Sequence, residues 1–164
     1  MTTTVTRTVA TPIAKIFAIN DDIVSRAIDG LTDEQLWTRP TELNNPMLWL
    51  VGHFVQTRTE LLAFLGEQVD TGWGARFIRG AVLGDRAQYP TRDEVQRVMN
   101  EVRGRLHAKL ATLDDEQLHQ PPPVAMAGAD TIADGIAGFA LHDCYHVGQM
   151  GYLRKGLGFP ALAG

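Results

Sequence analysis

Cysteine is almost missing from this sequence: Cys144 is the only one in 164 residues. That excludes an intrachain disulfide and any zinc cluster built on several thiolates. A basic run is missing too. The 15 Lys and Arg are outnumbered by 19 Asp and Glu, for a net charge of −4. Nucleic-acid binding depends on neutralising phosphates, so an acidic chain of this kind is not expected to bind it. No stretch of about 18 apolar residues occurs, which excludes a transmembrane helix. The Thr-rich first ten residues contain no apolar segment followed by a cleavage site, so they do not read as a secretory signal, and a cytoplasmic location is expected. Val, Ile and Thr never alternate with polar residues over a strand's length, which argues against a sheet.

What is present is ordinary globular composition. Hydrophobic residues make up 45% and charged residues 21%, too apolar for a disordered chain. The length fits one domain over residues 1–164, large enough to fold without covalent staples.

Four long amphipathic segments fill most of it. The first begins with Thr11 as cap and Pro12 at the first helical position, carries Ile13, Ile16, Phe17, Ile23, Val24, Ala27, Ile28 and Leu31 at helical spacing, and ends at Gly30. The second begins at Asn45-Pro46 and runs to Leu65, with Gly66 as its stop. In the third, Thr91 and Glu94 fit a capping box, followed by a stripe of Val95, Val98, Met99, Val102, Leu106, Leu110 and Leu113. The fourth starts near Asp130-Thr131 and runs to Lys155 before Gly156, its stripe formed by Ile132, Ile136, Phe139, His142, His146, Met150 and Leu153.

Such a pattern predicts an all-α helical bundle. Its connections are long and rich in Pro or Gly, and Ala75 to Leu83 has room for a short helix. Leu31-Thr-Asp-Glu-Gln-Leu36 echoes Leu113-Asp-Asp-Glu-Gln-Leu118, and both read as a capped extra turn after a long helix.

Five histidines stand against the one cysteine. His142 and His146 are four apart on the fourth helix, which puts them on one face with Cβ atoms roughly 5–6 Å apart. Two imidazoles so placed can reach one ion at Zn–N distances of about 2.0–2.1 Å. They continue the apolar stripe, and buried ring nitrogens need partners. The pair alone also fits a solvated face or a satisfied core pair, so a third ligand is needed to favour a metal. His53, four after Trp49 on the second helix, is that candidate. For that residue alone, a buried histidine bonded to a backbone carbonyl is the commoner case. His107 lies one step off the third stripe and is expected to be exposed; His119 sits in a Pro-rich loop. The single Glu116-x-x-His119 lies outside a long helix, which excludes a di-iron bundle. Asp143 stands where zinc peptidases carry Glu, and its shorter side chain argues against that chemistry. Its phase around the helix turns Cys144 away from the two histidines, toward a neighbouring helix.

These residues carry a family resemblance. The segment Asn45-Pro-Met-Leu-Trp49-Leu-Val-Gly52-His53, the segment His142-x-x-x-His146-x-Gly148-Gln149 with Leu153-Arg-Lys-Gly156 after it, and the Pro-rich connection before the last helix together resemble the DinB-like superfamily of metal-binding four-helix bundles. The likeness spans nearly the whole chain. It implies a four-helix bundle with long loops and short extra helices. It also implies a three-histidine site, mapping to His53, His142 and His146, that holds one divalent ion, nickel or zinc, and a homodimer.

The implied function is that of a metal-dependent enzyme on a small molecule, by hydrolysis or by transfer involving a low-molecular-weight thiol such as mycothiol or bacillithiol. Three histidines leave a coordination position open, as catalytic sites do. Gln149, three after His146, suits orientation of a ligand or a water. Trp49, Trp73 and Arg76, with Arg79, are candidates to line a substrate pocket or form a lid, where Arg would suit an anionic substrate; for Trp73, Arg76 and Arg79 ordinary packing of a surface loop is the commoner case. The alternative is a non-catalytic metal- or ligand-binding bundle, because no general base is identifiable beyond the ligands.

Overall fold

The computed structural model describes residues 7–162; the six N-terminal residues of the stretch read for a signal lie outside them. Six helices occur there: α1 (Thr11–Ile28), α2 (Asp33–Trp37), α3 (Met47–Phe64), α4 (Arg92–Ala111), α5 (Asp115–Leu118) and α6 (Ile132–Gly156). There is no strand among the described residues, only an isolated bridge between Met126 and Ala129. The all-α reading holds, and among the described residues no helix is long and apolar enough to cross a membrane.

The four long helices form a closed ring. α1 packs on α4 and α6, and α3 packs on the same two. Thus α1 and α3, consecutive long helices, lie diagonally, as do α4 and α6. A diagonal step cannot be made by a tight turn, and this accounts for two of the long connections. Each carries one of the echoed sequences. Thr32 and Gln35 close a capping box on α2, and Asp114 and Gln117 close one on α5. Leu36 and Leu118, the last residues of the two echoes, are both buried in the core.

Helix starts differ from the sequence expectation by a residue. Ala10, not Thr11, is the cap of α1, and Thr11 is its first residue. Pro46, not Asn45, is the cap of α3, with φ −69° and ψ 162°. Neither cap makes a side-chain hydrogen bond to the first turn. Thr91 accepts from the Glu94 amide at 3.3 Å, but Glu94 does not close the box; Thr131 and Asp134 do so at α6. Of the region 75–83 only the start is helical, in the 3₁₀ turn Gly74–Arg76, and a second 3₁₀ turn, Arg86–Gln88, follows it.

The core runs through the ring. Phe17, Val24, Leu61, Leu62, Leu106, Ile136 and Met150 are fully buried. Ile16, counted in the first stripe, is exposed. α3 is covered on nearly every side, so it is the central helix of the molecule, and it carries His53.

Candidate metal centre

α3 and α6 pack together, and their contact brings His53, His142 and His146 to one point. Each offers a ring nitrogen, and these nitrogens lie within 4.8 Å of one another. His142 Nε2 and His146 Nε2 are 3.2 Å apart. Two ligands each about 2.0–2.1 Å from a shared ion at a tetrahedral angle stand roughly 3.3 Å apart. The His53 ring meets those of His142 and His146 edge-on, with centroids 5.1 and 4.6 Å away.

The outer nitrogens show which faces are free. His53 Nδ1 sits against the carbonyl of Phe77. A carbonyl only accepts, so the neutral ring carries its proton on Nδ1 and turns the Nε2 lone pair inward. His146 Nδ1 donates to Gln149 Oε1 at 2.8 Å, with the same result. Histidine ligands commonly have their second nitrogen fixed in this way. Burial lowers the His146 pKa to about 4, against the pull of Gln149, with His53 and His142 adding to the depression. Burial, then His53 and Arg79, lowers His142 as well. Neutral imidazoles are the form that binds metal. The donor set, its spacing and its protonation therefore fit one divalent ion.

The long loop before α4 fastens this site. Trp49 stacks on His53 at 4.9 Å, with an interplanar angle of 16°, and its indole N–H donates to the Arg76 carbonyl at 3.1 Å. Phe77 is fully buried and packs edge-on against Trp73 at 5.0 Å. Gly52 makes this seat possible: a Cβ there would lie 2.2 Å from the Phe77 ring. Trp49 is thus buried against His53, and Trp73, buried as well, packs behind Phe77. The side chains of Arg76 and Arg79 are exposed, Arg79 being near enough to bear on His142.

Three sequence expectations change or gain detail. His107 is not free on the surface. Its Nε2 donates to Asp21 Oδ2 at 2.7 Å, and it is two-thirds buried, because α4 lies beside α1. Cys144 does face α1, where Asn20 Nδ2 approaches its sulfur at 3.4 Å, yet it is exposed. Asp143 turns away from the cluster to Arg58, 2.6 Å off. Sequence reasoning missed Arg58, Asp21 and Phe77. A lone arginine among the apolar residues of α3 was the available signal for the first; nothing marked Phe77, which acts through its backbone.

An all-α bundle with three convergent histidines defines a class, and comparison narrows it. Residues 17–150 match the DinB superfamily, and the chain belongs to it. The fold is also that of a conserved protein from Enterococcus faecalis known from its crystal structure. The two share 14% identity with a TM-score of 0.65, over 92% of this chain and 97% of that one. No curated protein matches the chain.

Proposed function

We propose that this protein is a metal-dependent enzyme acting on a small molecule, with His53, His142 and His146 holding one divalent ion, nickel or zinc. The observation that carries the reading is the convergence of three ring nitrogens, in which the outer partners of His53 and His146, the Phe77 carbonyl and Gln149, leave the inner lone pairs of those two rings free. Three protein ligands leave room for a substrate atom. A divalent ion so held supplies Lewis acidity toward a substrate oxygen or a thiol sulfur. That supports either hydrolysis or transfer with a low-molecular-weight thiol.

The chain's own residues orient and shield. Gln149 sets the His146 ring, and the Phe77 carbonyl sets His53. Trp49 and Trp73 keep water from one side. Arg79, exposed beside His142, offers a guanidinium to an anionic substrate group. Arg76 contributes its carbonyl to Trp49, and its side chain is exposed.

A second reading, a non-catalytic metal- or ligand-binding bundle, is favoured by one observation. The nearest carboxylate in sequence, Asp143, is committed to Arg58 and is unavailable as a general base at the cluster.

Elemental analysis of untagged protein decides the metal: one ion per chain, lost in His53→Ala, supports the site, and no bound ion refutes it. Loaded protein is then assayed with mycothiol, bacillithiol or glutathione plus electrophiles, and with ester, amide and lactone panels. Turnover in either set supports the enzyme; none in both supports the binding protein. Pairing into a homodimer, consistent with Ile19 standing half exposed on α1, is checked by analytical ultracentrifugation.

A further inference from the structure

A groove of about 390 Å³ lies between the start of α3 and the outer edge of α6. It borders the histidine cluster without opening on it. Leu50 lines it one turn before His53, and Gln149 lines it three residues after His146. His146 turns Nδ1 toward Gln149 and Nε2 toward His142, so its ring separates the groove from the point where the three nitrogens meet. Tyr145 and Tyr152 form walls two turns apart, 64% and 73% exposed. Gly148 lies between them, and a Cβ there would meet nothing within 4 Å.

The chemistry of the lining is specific. No Lys, Arg, Asp or Glu contributes to it. Asn44 and Asn45, just before α3, also line it. Gln149 spends its Oε1 on His146, and its NH2 has no partner among the described residues. A charged ligand entering here would lose water without finding a counter-charge. A neutral one would meet amide donors and acceptors, phenol hydroxyls and two aromatic faces.

We propose that this groove is a binding site, distinct from the open position at the cluster, for an uncharged small molecule that bears hydroxyl and amide groups and stacks one flat face on Tyr145 or Tyr152. Gln149 links it to the cluster: a ligand that accepts from the Gln149 NH2 polarises the amide and strengthens the Oε1 bond to His146. Only this link rests on the metal reading; the binding does not.

The test uses full-length protein and N-acetylglucosamine as probe, with glucosamine and glucuronate as its cationic and anionic counterparts. Amide side-chain signals are followed by ¹H–¹⁵N correlation spectra. The neutral sugar is expected to shift Asn45 and Gln149 saturably and at least tenfold more tightly than either charged one. Gly148→Leu fills the floor at an exposed helical position where Leu is a better helix former than Gly, so it should keep the fold and abolish the shifts. Tyr152→Ala, also exposed, should weaken binding at least fivefold. The proposal is overturned by no saturable shift, by equal affinity for the charged sugars, or by unchanged binding in both variants. Metal content measured on the same samples keeps the two readings apart. Saturable shifts without a bound ion sink the metal centre alone, and a bound ion without shifts sinks the groove alone.

Discussion

Arg58 on α3 donates from Nε to Asp143 Oδ2 on α6 at 2.6 Å, with both side chains almost wholly buried. Arg58 NH1 also lies 3.3 Å from Asp21 Oδ1 on α1. The guanidinium is held between the rings of Phe17 and Phe54, 4.6 and 4.5 Å from their centroids. Asp143 is the residue after His142, and Arg58 is five after His53, so the pair ties together the two helices that supply the ligands. Burial pushes the Asp143 carboxyl up to about 7, against the opposing pull of Arg58. That leaves it dependent on its partner.

Arg58→Ala is therefore expected to be severe. It strands the buried Asp143 carboxyl and leaves Asp21 with only His107 and Arg103, and breaking a buried pair from one side costs on the order of 3–5 kcal/mol. Asp143→Asn keeps an acceptor for Arg58 and should cost less than half of that. Urea unfolding of the two variants beside the native chain measures both; a loss below about 1 kcal/mol for Arg58→Ala would show that the clamp does not hold the helices.

The contrast between Arg58 and His146 shows what the sequence could disclose. Histidines four apart on an apolar stripe are visible because helical geometry is local, and the caps at Thr32, Asp114 and Thr131 are visible for the same reason. Arg58 and Asp21 are 37 positions apart and meet only because α1 and α3 face each other across the bundle's diagonal. His107 was misplaced on the same account. One step off a stripe means exposure unless a neighbour reaches for it, and Asp21 does. Phe77 was illegible because it acts through a carbonyl and a ring seated on Gly52, neither of which depends on a periodic pattern.

Gly52→Ala probes that seat. The added Cβ would sit 2.2 Å from the Phe77 ring, so the loop must shift, and with it the carbonyl that holds His53. Overpacking of this kind costs about 1–3 kcal/mol. The helix itself should persist, since Ala is the better helix former. Metal affinity should fall while circular dichroism keeps its helical signal; unchanged affinity would mean that the Phe77 carbonyl does not govern His53.

Acid should act on the metal-free protein through the same rings. In the unfolded chain a histidine protonates near 6.5, whereas burial holds His146 down to about 4 and lowers His142 as well. Below pH 6.5 the unfolded state takes up protons that the folded state refuses. The stability present above 6.5 is therefore lost as pH falls toward 4. His146, partly open to screening, should account for about 2 kcal/mol of this loss. Carboxylates titrate in the same window, so the measurement is a difference. Between pH 7.5 and 4.5, chelator-treated native protein should lose about 2 kcal/mol more than His146→Asn. Equal losses would contradict a neutral, buried His146.

Gln149 separates orientation of the ring from mere packing. Its Oε1 takes the His146 Nδ1 proton at 2.8 Å, which fixes the ring and raises the donor strength of Nε2. Removing such an outer partner weakens metal binding by about 10–100-fold. Gln149→Leu preserves bulk and loses the acceptor, so affinity measured by competition with a chelator should fall within that range while urea unfolding of the metal-free protein changes little. Gln149→Glu keeps an acceptor and makes it anionic, which strengthens the bond to Nδ1–H and should restore affinity to at least the native level. If Leu and Glu weaken binding alike, the residue only fills space beside His146. If Glu rescues what Leu loses, the hydrogen bond itself makes His146 a ligand.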